Sequence, residues 1–390
     1  MSRKIAIVLY GGVGGGFEAQ GVPILVDFIE RISSGFPAKF EITVFSFLRP
    51  DTDFVPKNYK IIHCNGILSS SSTWLAIKFC WLFFRHHKKE KYDIIHCIWG
   101  FPAGFWGVLM AKILNIKSIV SLQGGETTAI PALNYGNMLR FKTRFGTRWA
   151  CKNATQTTVL THFQKNLAEK YHIKTQKDIL VVPYGAMEGF FQGNLDKWAC
   201  PLAEKNVINF LHVANLNAIK QTKQLIDIFV EFSKNLPSNI NTKLTIIGTG
   251  TLENDIKNYI LKENLQEKIV LLGVIPHKNL PQYYQKADIL LHNSIYEAQA
   301  VVVNEALAGG LLVIGTHVGI IADLADICVV SVKENDNFAL KTTDILQNKE
   351  QLRALLQNSK EYSHKNTAQN TANTFMQIYA QLFNILNKIE

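Results

Sequence analysis

Apolar residues along this chain gather into short runs, and between the runs they recur every three or four positions. Residues 4–10 form the first run, the pattern of a parallel strand covered on both faces rather than the alternation of a strand with one wet side. A glycine loop at 11–16 follows, and then Leu25, Phe28, Ile29 and Ile32 fall at helical spacing within 22–32. Runs at 40–47, 59–64, 93–99, 117–122, 154–160 and 179–185 predict further strands, with helices at 102–114 and 161–171. Strands alternating with helices predict a doubly wound parallel sheet, whose ligands bind beyond the carboxyl ends of the strands. The 11–16 loop and the Gln123-Gly124-Gly125-Glu126 turn both fall there.

Periodicity is lost over 187–206, which reads as a linker, and then restarts. Strands are predicted at 207–213, 243–248, 269–273, 288–294 and 311–315, and helices at 221–232, 252–262, 280–285 and after Val303. This is a second unit of the same kind, not a sequence repeat. A long helical stretch at 367–386, with Phe375, Ile378, Tyr379 and Leu382 on one face, ends the chain. A chain of 390 residues exceeds one comfortable core. The expected division is an N-terminal domain at 1–186, the linker, and a C-terminal domain at 207–371, with 372–390 completing the first domain.

Composition narrows the class. With 47% hydrophobic residues the chain should be globular. No run reaches the roughly 18 apolar residues of a membrane span, and the N-terminal residues lack a signal peptide's apolar region, so the expectation is a cytoplasmic protein. The six cysteines are scattered, without CxxC or metal-ligand spacing, and are expected to be reduced core residues. The net charge of +10 is uneven: residues 1–190 hold 23 Lys+Arg against 12 Asp+Glu, and 191–390 hold 18 against 19. A basic half facing a neutral one suggests contact with an anionic surface at the inner face of the membrane, or simply a solvated basic face. A nucleic-acid partner is not expected, because no binding motif accompanies the charge.

Several stretches carry candidate chemistry. In the glycine loop a GxGxxG opened by Gly12 and Gly14 would need its third glycine at Phe17, so the dinucleotide fingerprint fails, and no GK[ST] follows. What remains is a loop whose backbone can approach a ligand closely, at Gly14, Gly15 and Gly16. Asp51-Thr52-Asp53 matches a DxD pattern but sits in a Pro-flanked loop without supporting ligands and reads as a solvated turn. In 72–87, Trp74, Leu75, Phe79, Leu82 and Phe83 can share a broad apolar face, followed by Arg85, Lys88 and Lys89. Both a membrane-surface helix and a core helix with a solvated basic end have that pattern. Finally, Glu297 and Glu305 stand eight positions apart after the 288–294 strand, where strand, loop and helix would aim a helix N-terminus at an anion.

Two such units, a linker and a Glu-x7-Glu segment after the fourth strand of the second unit resemble the GT-B fold of the retaining family 4 glycosyltransferases. The landmarks occur in order over nearly the whole chain: the glycine loop, Asp93-Ile94-Ile95-His96, Leu122-Gln123-Gly124-Gly125, Val182-Pro183-Tyr184-Gly185, Ile246-Ile247-Gly248-Thr249-Gly250 and Leu272-Gly273-Val274-Ile275-Pro276. Two glutamates at this spacing arise often by chance; order and context give them weight.

The resemblance implies two Rossmann-like domains facing across a cleft, with the terminal helix crossing back to the N-terminal, acceptor-binding one. It implies metal-independent, cofactor-free transfer of a hexose from a UDP- or GDP-linked donor to a glycan or lipid-linked acceptor in cell-surface polysaccharide or glycolipid synthesis. Glu297 would hydrogen-bond the donor sugar and Glu305 the ribose, since a carboxylate accepts from adjacent hydroxyls. Lys220 would neutralise the leaving diphosphate. Backbone N–H groups of Ala300, Val301 and Val302 would meet the diphosphate, and Val274 and Ile275 would line the base. Three positions depart from the family pattern. Asn215 stands where an Arg is usual, Gln123 where a His is usual beside the donor sugar, and 319–323 lacks the usual Glu. These departures leave open a degenerate member that binds a nucleotide sugar without transferring it. An oxidoreductase would need the missing third glycine.

Overall fold

The computed structural model of the chain describes residues 3–14, 21–35, 40–51, 53–70, 72–191, 198, 206–334 and 336–383. Two compact units form: Met1–Tyr184 together with Ala368–Glu390, and Gly185–Thr367.

In the first unit, β1 (Arg3–Leu9), β2 (Phe40–Leu48), β3 (Tyr59–Gly66), β4 (Ile94–Ile98), β5 (Lys117–Ser121), β6 (Gln156–Val159) and β7 (Ile179–Val181) form one sheet of order β3-β2-β1-β4-β5-β6-β7. Every pairing is parallel, with Ile5 of β1 opposite Ile42 of β2 on one side and Ile94 of β4 on the other. Helices α1 (Pro23–Ser34), α2 (Ser72–Glu90), α3 (Phe105–Leu114), α4 (Phe141–Asn153) and α5 (His162–Lys170) connect the strands. Ile5, Ala6, Ile7, Val8 and Leu9 are all fully buried, because helices cover both faces of the sheet.

The second unit repeats the arrangement. Strands β8 (Val207–Val213), β9 (Asn241–Ile247), β10 (Ile269–Leu271), β11 (Ile289–His292), β12 (Leu312–Thr316) and β13 (Val330–Val332) pair in parallel in the order β10-β9-β8-β11-β12-β13. Its helices are α6 (Thr222–Asn235), α7 (Glu253–Lys262), α8 (Pro281–Lys286), α9 (Val301–Ala308), α10 (Gly319–Asp323), α11 (Phe338–Gln347) and α12 (Lys349–Lys365). Helix α13 (Ala368–Leu382) belongs to the first unit, where the Phe375 ring meets Phe28 of α1 at 4.9 Å. The Tyr379 hydroxyl lies 2.7 Å from His96 Nδ1, and His96 Nε2 lies 2.7 Å from Ser121 Oγ. Burial pushes His96 down to about 3, so a neutral imidazole bridges α13 to the sheet.

The structure corrects several local expectations. The apolar face of α2 is narrower than predicted: Leu75, Phe79 and Phe83 are buried, but Trp74 is 62% exposed. Adjacent helical residues point about 100° apart, so Trp74 cannot follow Leu75 into the core. Trp74 instead stands with exposed Ile77, Trp81 and Phe84 on a second, solvent-facing stripe. Helix α9 starts at Val301, whereas the sequence placed the helix after Val303. Helix α4 was not predicted, because its buried face is made of Gly146, Thr147, Ala150 and Cys151, too small and polar to register as an apolar stripe. Helices α10, α11 and α12 and strand β13 were likewise unassigned from sequence. The terminal helix closes at Leu382, and 384–390 lie outside the described residues. Of the stretch read as a linker, Glu188–Phe190 makes a 3-10 turn with Phe190 buried; 192–197 and 199–205 lie outside the described residues. Cys64, Cys97, Cys151 and Cys328 are buried free thiols and Cys80 is half-buried, while Cys200 lies outside the described residues.

Candidate active site

The best-formed polar cluster lies at the carboxyl ends of β8 and β11, in the second unit. The chain leaves β8, passes Asn215 and makes the short turn Ala218–Lys220, capped by the Asn217 side chain, which accepts from Ile219 N at 3.1 Å. That turn presents Lys220. From β11 the chain runs past His292 and Ser294 to Glu297, and the Thr316 hydroxyl fixes the loop by donating to Ser294 O at 2.6 Å. Lys220 Nζ is ion-paired with Glu297 Oε1. The Ser294 hydroxyl donates to the same oxygen at 2.7 Å, and His292 Nε2 lies 3.0 Å from it. All three protein donors converge on Oε1, which leaves Oε2, among the described residues, as an acceptor for a ligand hydroxyl. Burial by itself pushes the Glu297 carboxyl up, but the Lys220 ammonium and the His292 imidazole outweigh it and hold the group well below the usual carboxylate range. The Glu297 carboxylate is therefore ionised throughout the physiological range.

Gly319 allows this loop to close. Its φ is +54°, and a β-carbon there would lie 2.7 Å from Gln299 O and 2.8 Å from Glu297 Cβ. Ile320 N donates to Gln299 O at 2.9 Å, so α10 buttresses the segment that carries Glu297. Ala300, at φ +72°, turns the chain into α9. The first N–H groups of a helix have no partner within it, so Val301 and Val302 present donors at the positive end of the α9 dipole.

Glu305, in α9, is 3% exposed, and both its oxygens are engaged: His277 Nε2 lies 2.7 Å from Oε1, and the Tyr284 hydroxyl donates to Oε2 at 2.8 Å. Phe190 packs edge-on against Tyr284 and tilted against His277, holding both rings. Each carboxylate oxygen has a second lone pair, so Glu305 retains acceptor capacity. Val274 is 68% exposed and Ile275 packs partly into the core of this unit. Asn215 is exposed, with Oδ1 beside Gly250. His292, Ser294, His277 and Tyr284 were not singled out from sequence. His292 and Ser294 fall inside the predicted 288–294 strand, where a polar residue in an apolar run was the available signal; His277 and Tyr284 carried none.

The remaining candidates lie in the first unit. Gly14 has φ +71°, and a β-carbon would sit 2.5 Å from the Phe54 ring, so packing alone requires a glycine there; Gly15 and Gly16 lie outside the described residues. Asp51 and Asp53 are exposed, and Thr52 lies outside the described residues. The Gln123 side-chain amide donates to the Tyr184 hydroxyl at 2.5 Å. Gln123-Gly124-Gly125 is shaped by buried Glu126, which accepts from Gly124 N at 2.6 Å, Gly100 N at 3.3 Å and Gln123 N at 3.4 Å. Arg85 lies 5.3 Å over the Trp81 ring and Lys88 4.7 Å over Phe84, and Lys89 is exposed beside them.

Two parallel Rossmann-like sheets, with a lysine–glutamate pair at the strand ends of the second and an acid in the helix that follows, define a GT-B glycosyltransferase. Comparison with known proteins gives the family. Residues 199–362 match the family described as "Glycosyl transferases group 1", and residues 35–185 the "Glycosyl transferase 4-like domain". The chain belongs to the family 4 type of GT-B glycosyltransferases. It is 24% identical over 243 residues to the N-acetyl-alpha-D-glucosaminyl L-malate synthase of Bacillus anthracis, covering 60% of this chain and 58% of that protein. It is 27% identical over 246 residues to the alpha-monoglucosyldiacylglycerol synthase of Acholeplasma laidlawii, covering 60% of each. The match thus spans less than two thirds of either relative. Among solved structures, the sucrose-phosphate synthase of Thermosynechococcus elongatus superposes with a TM-score of 0.75 at 18% identity, over 98% of this chain and 100% of that one, a likeness of fold.

Proposed function

We propose that the protein is a retaining, metal-independent glycosyltransferase that moves a hexose from a UDP- or GDP-linked donor to a lipid-linked or cell-surface glycan acceptor. The observation that carries this reading is the Lys220–Glu297 pair beside the start of α9. Lys220 supplies the positive charge that a departing diphosphate needs as the glycosidic bond breaks, and the α9 N-terminus adds oriented N–H donors. Because charge neutralisation comes from this lysine and these dipoles, no metal need be invoked. Glu297 offers Oε2 to the hydroxyls of the donor sugar and holds it in register. Glu305, steadied by His277 and Tyr284, accepts from the ribose. The acceptor hydroxyl attacks from the face the nucleotide leaves, and no side-chain nucleophile takes part.

The exposed aromatic stripe of α2, with Arg85, Lys88 and Lys89, supports peripheral docking on an anionic membrane, with aromatic rings at the interface and cations at the headgroups. No helix among the described residues is long and apolar enough to cross a membrane. The name of the Acholeplasma relative, an alpha-monoglucosyldiacylglycerol synthase, accords with a lipid acceptor.

Nucleoside diphosphate release from a panel of UDP- and GDP-sugars, with the product anomer read by NMR, tests the proposal. Turnover with retention is expected. An inverted product, or parent-rate turnover by Glu297→Ala and Lys220→Ala, would remove it. The exposed Asn215, with no cation of its own to offer the diphosphate, favours the second reading of a donor-binding protein without transfer. Tight binding of one sugar nucleotide without turnover on lipid or glycan acceptors would select that reading.

A further inference from the structure

The first unit carries a groove that the reaction above does not use. It lies between the start of α2, the 100–104 turn, α3 and α4, with a volume of about 210 Å³. Phe101, Phe105, Trp106, Phe141 and Phe145 form its walls, and Lys142 stands at its edge. The rings are not packed away: Phe141 is 74% exposed and Phe145 52%, and the two stack on each other at 6.1 Å. Lys142 Nζ lies 5.8 Å over the Phe101 ring.

The chemistry of the walls selects the occupant. They offer almost no hydrogen-bonding atoms, so a sugar or nucleotide would lose its hydration there without replacement. The volume exceeds that of a cavity that takes a benzene-sized guest, roughly 150 Å³, and falls short of the roughly 300 Å³ at which pockets for whole drug-sized ligands begin. A segment of a linear hydrocarbon chain fits between those limits. Charge supplies the second argument. Between 137 and 153 the chain carries Arg140, Lys142, Arg144, Arg148 and Lys152 and no acid, so an anionic headgroup is attracted where a cationic one is repelled. Thr73 lines the same groove, which places it next to exposed Trp74 at the head of the α2 stripe.

We infer that this groove seats one hydrocarbon chain of the lipid that carries the acceptor, with the lipid's anionic headgroup at Lys142. The inference rests on the lipid-acceptor reading above, and it gives that reading a place on the protein. Chain and headgroup are held by different groups, so they make separable contributions.

The test uses the full-length protein and monomeric alkyl phosphates below their micelle concentration, titrated by calorimetry without any sugar donor. Decyl phosphate should bind at least about tenfold more tightly than butyl phosphate, since each methylene removed from water contributes about fourfold in affinity until the groove is full. The double variant Phe141→Ser, Phe145→Ser changes exposed side chains only, so UDP-sugar binding should be unchanged while the chain-length effect collapses. Lys142→Gln should weaken butyl and decyl phosphate alike. Equal affinity for butyl and decyl phosphate, or a chain-length effect untouched by the double variant, would overturn the inference, as would capture of a protein partner in place of the lipid. If decyl phosphate binds as described but the enzyme glycosylates only soluble acceptors at a rate the double variant leaves unchanged, the groove is a lipid site and the lipid-acceptor reading is what fails.

Discussion

Replacing Lys220 by Met removes one partner of an ion pair whose side chains are only 20% and 12% exposed. At an effective dielectric constant near 20, two unit charges about 3 Å apart attract by about 5 kcal/mol, before the cost of desolvating them. Breaking a fully buried pair typically costs about 3–5 kcal/mol, because the surviving charge is left without compensation. Here Ser294 and His292 still donate to Glu297, and both groups keep some water, so a loss of about 2–3 kcal/mol from the second unit is the reasoned value. Glu297→Gln leaves the more exposed member, Lys220, and should cost about 1–2 kcal/mol. In Lys220→Met combined with Glu297→Gln no charge is stranded, so the double variant should be more stable than the sum of the single losses by about 1–2 kcal/mol. Hydrogen exchange of second-unit peptides in graded urea reads this unit without assuming that the whole chain unfolds in one step. Additive losses within about 0.3 kcal/mol would refute the reasoning, because an exposed, solvent-screened pair behaves that way.

Other perturbations follow from the same geometry. Gly319→Ala places a β-carbon against Gln299 O and Glu297 Cβ at a positive φ, so it should destabilise the second unit by about 1–3 kcal/mol and weaken sugar-nucleotide binding; a thermal melt with unchanged midpoint would contradict it. Burial pushes His96 and His212, one in each unit, down to about 3. A base with a depressed folded pKa keeps its full stabilising effect above the unfolded value near 6.5. Below that value each unit should lose up to about 1.4 kcal/mol per pH unit as the unfolded chain takes up the proton. Stability measured by urea titration should therefore fall from pH 6.5 to pH 5, whereas Glu297, held low by Lys220 and His292, contributes little slope in that window, because the unfolded carboxyl takes up its proton mainly below pH 5. A flat profile between those pH values would show that these imidazoles protonate in place.

The sheets were legible because their central strands are largely covered by helices, so β1 reads as an apolar run from Ile5 to Leu9, and β8 and β11 as mostly apolar runs interrupted by Asn209, His212 and His292. Elements whose buried face is made of small or polar groups carry no such pattern. Helix α4 buries Gly146, Thr147 and Ala150 and exposes Phe141 and Phe145, the reverse of what an apolar stripe suggests. On α2 a run of large apolar residues could not reveal that Leu75 and Phe79 face the core while Trp74 and Trp81 face water, since all are apolar. For the candidate site, Lys220 and Glu297 were visible as residue types in a recognisable order, although 77 positions separate them. The convergence of Lys220, His292 and Ser294 on one carboxylate oxygen was not visible, because it depends on how two loops leave neighbouring strands. Nor could spacing disclose that His277 and Tyr284, from the segment before β11, hold Glu305 in place.

In the proposed function, the second unit grips a nucleotide sugar with Lys220 at the diphosphate and Glu297 at the sugar. Calorimetric affinities for a nucleoside diphosphate and the matching sugar nucleotide, compared in the parent protein, Lys220→Met and Glu297→Gln, test it directly. Lys220→Met should weaken both ligands by on the order of tenfold or more, the worth of a charge-assisted contact. Glu297→Gln should weaken the sugar nucleotide and leave the nucleoside diphosphate nearly unchanged. Equal affinities across all three proteins, or a Glu297→Gln effect of the same size on both ligands, would contradict the account.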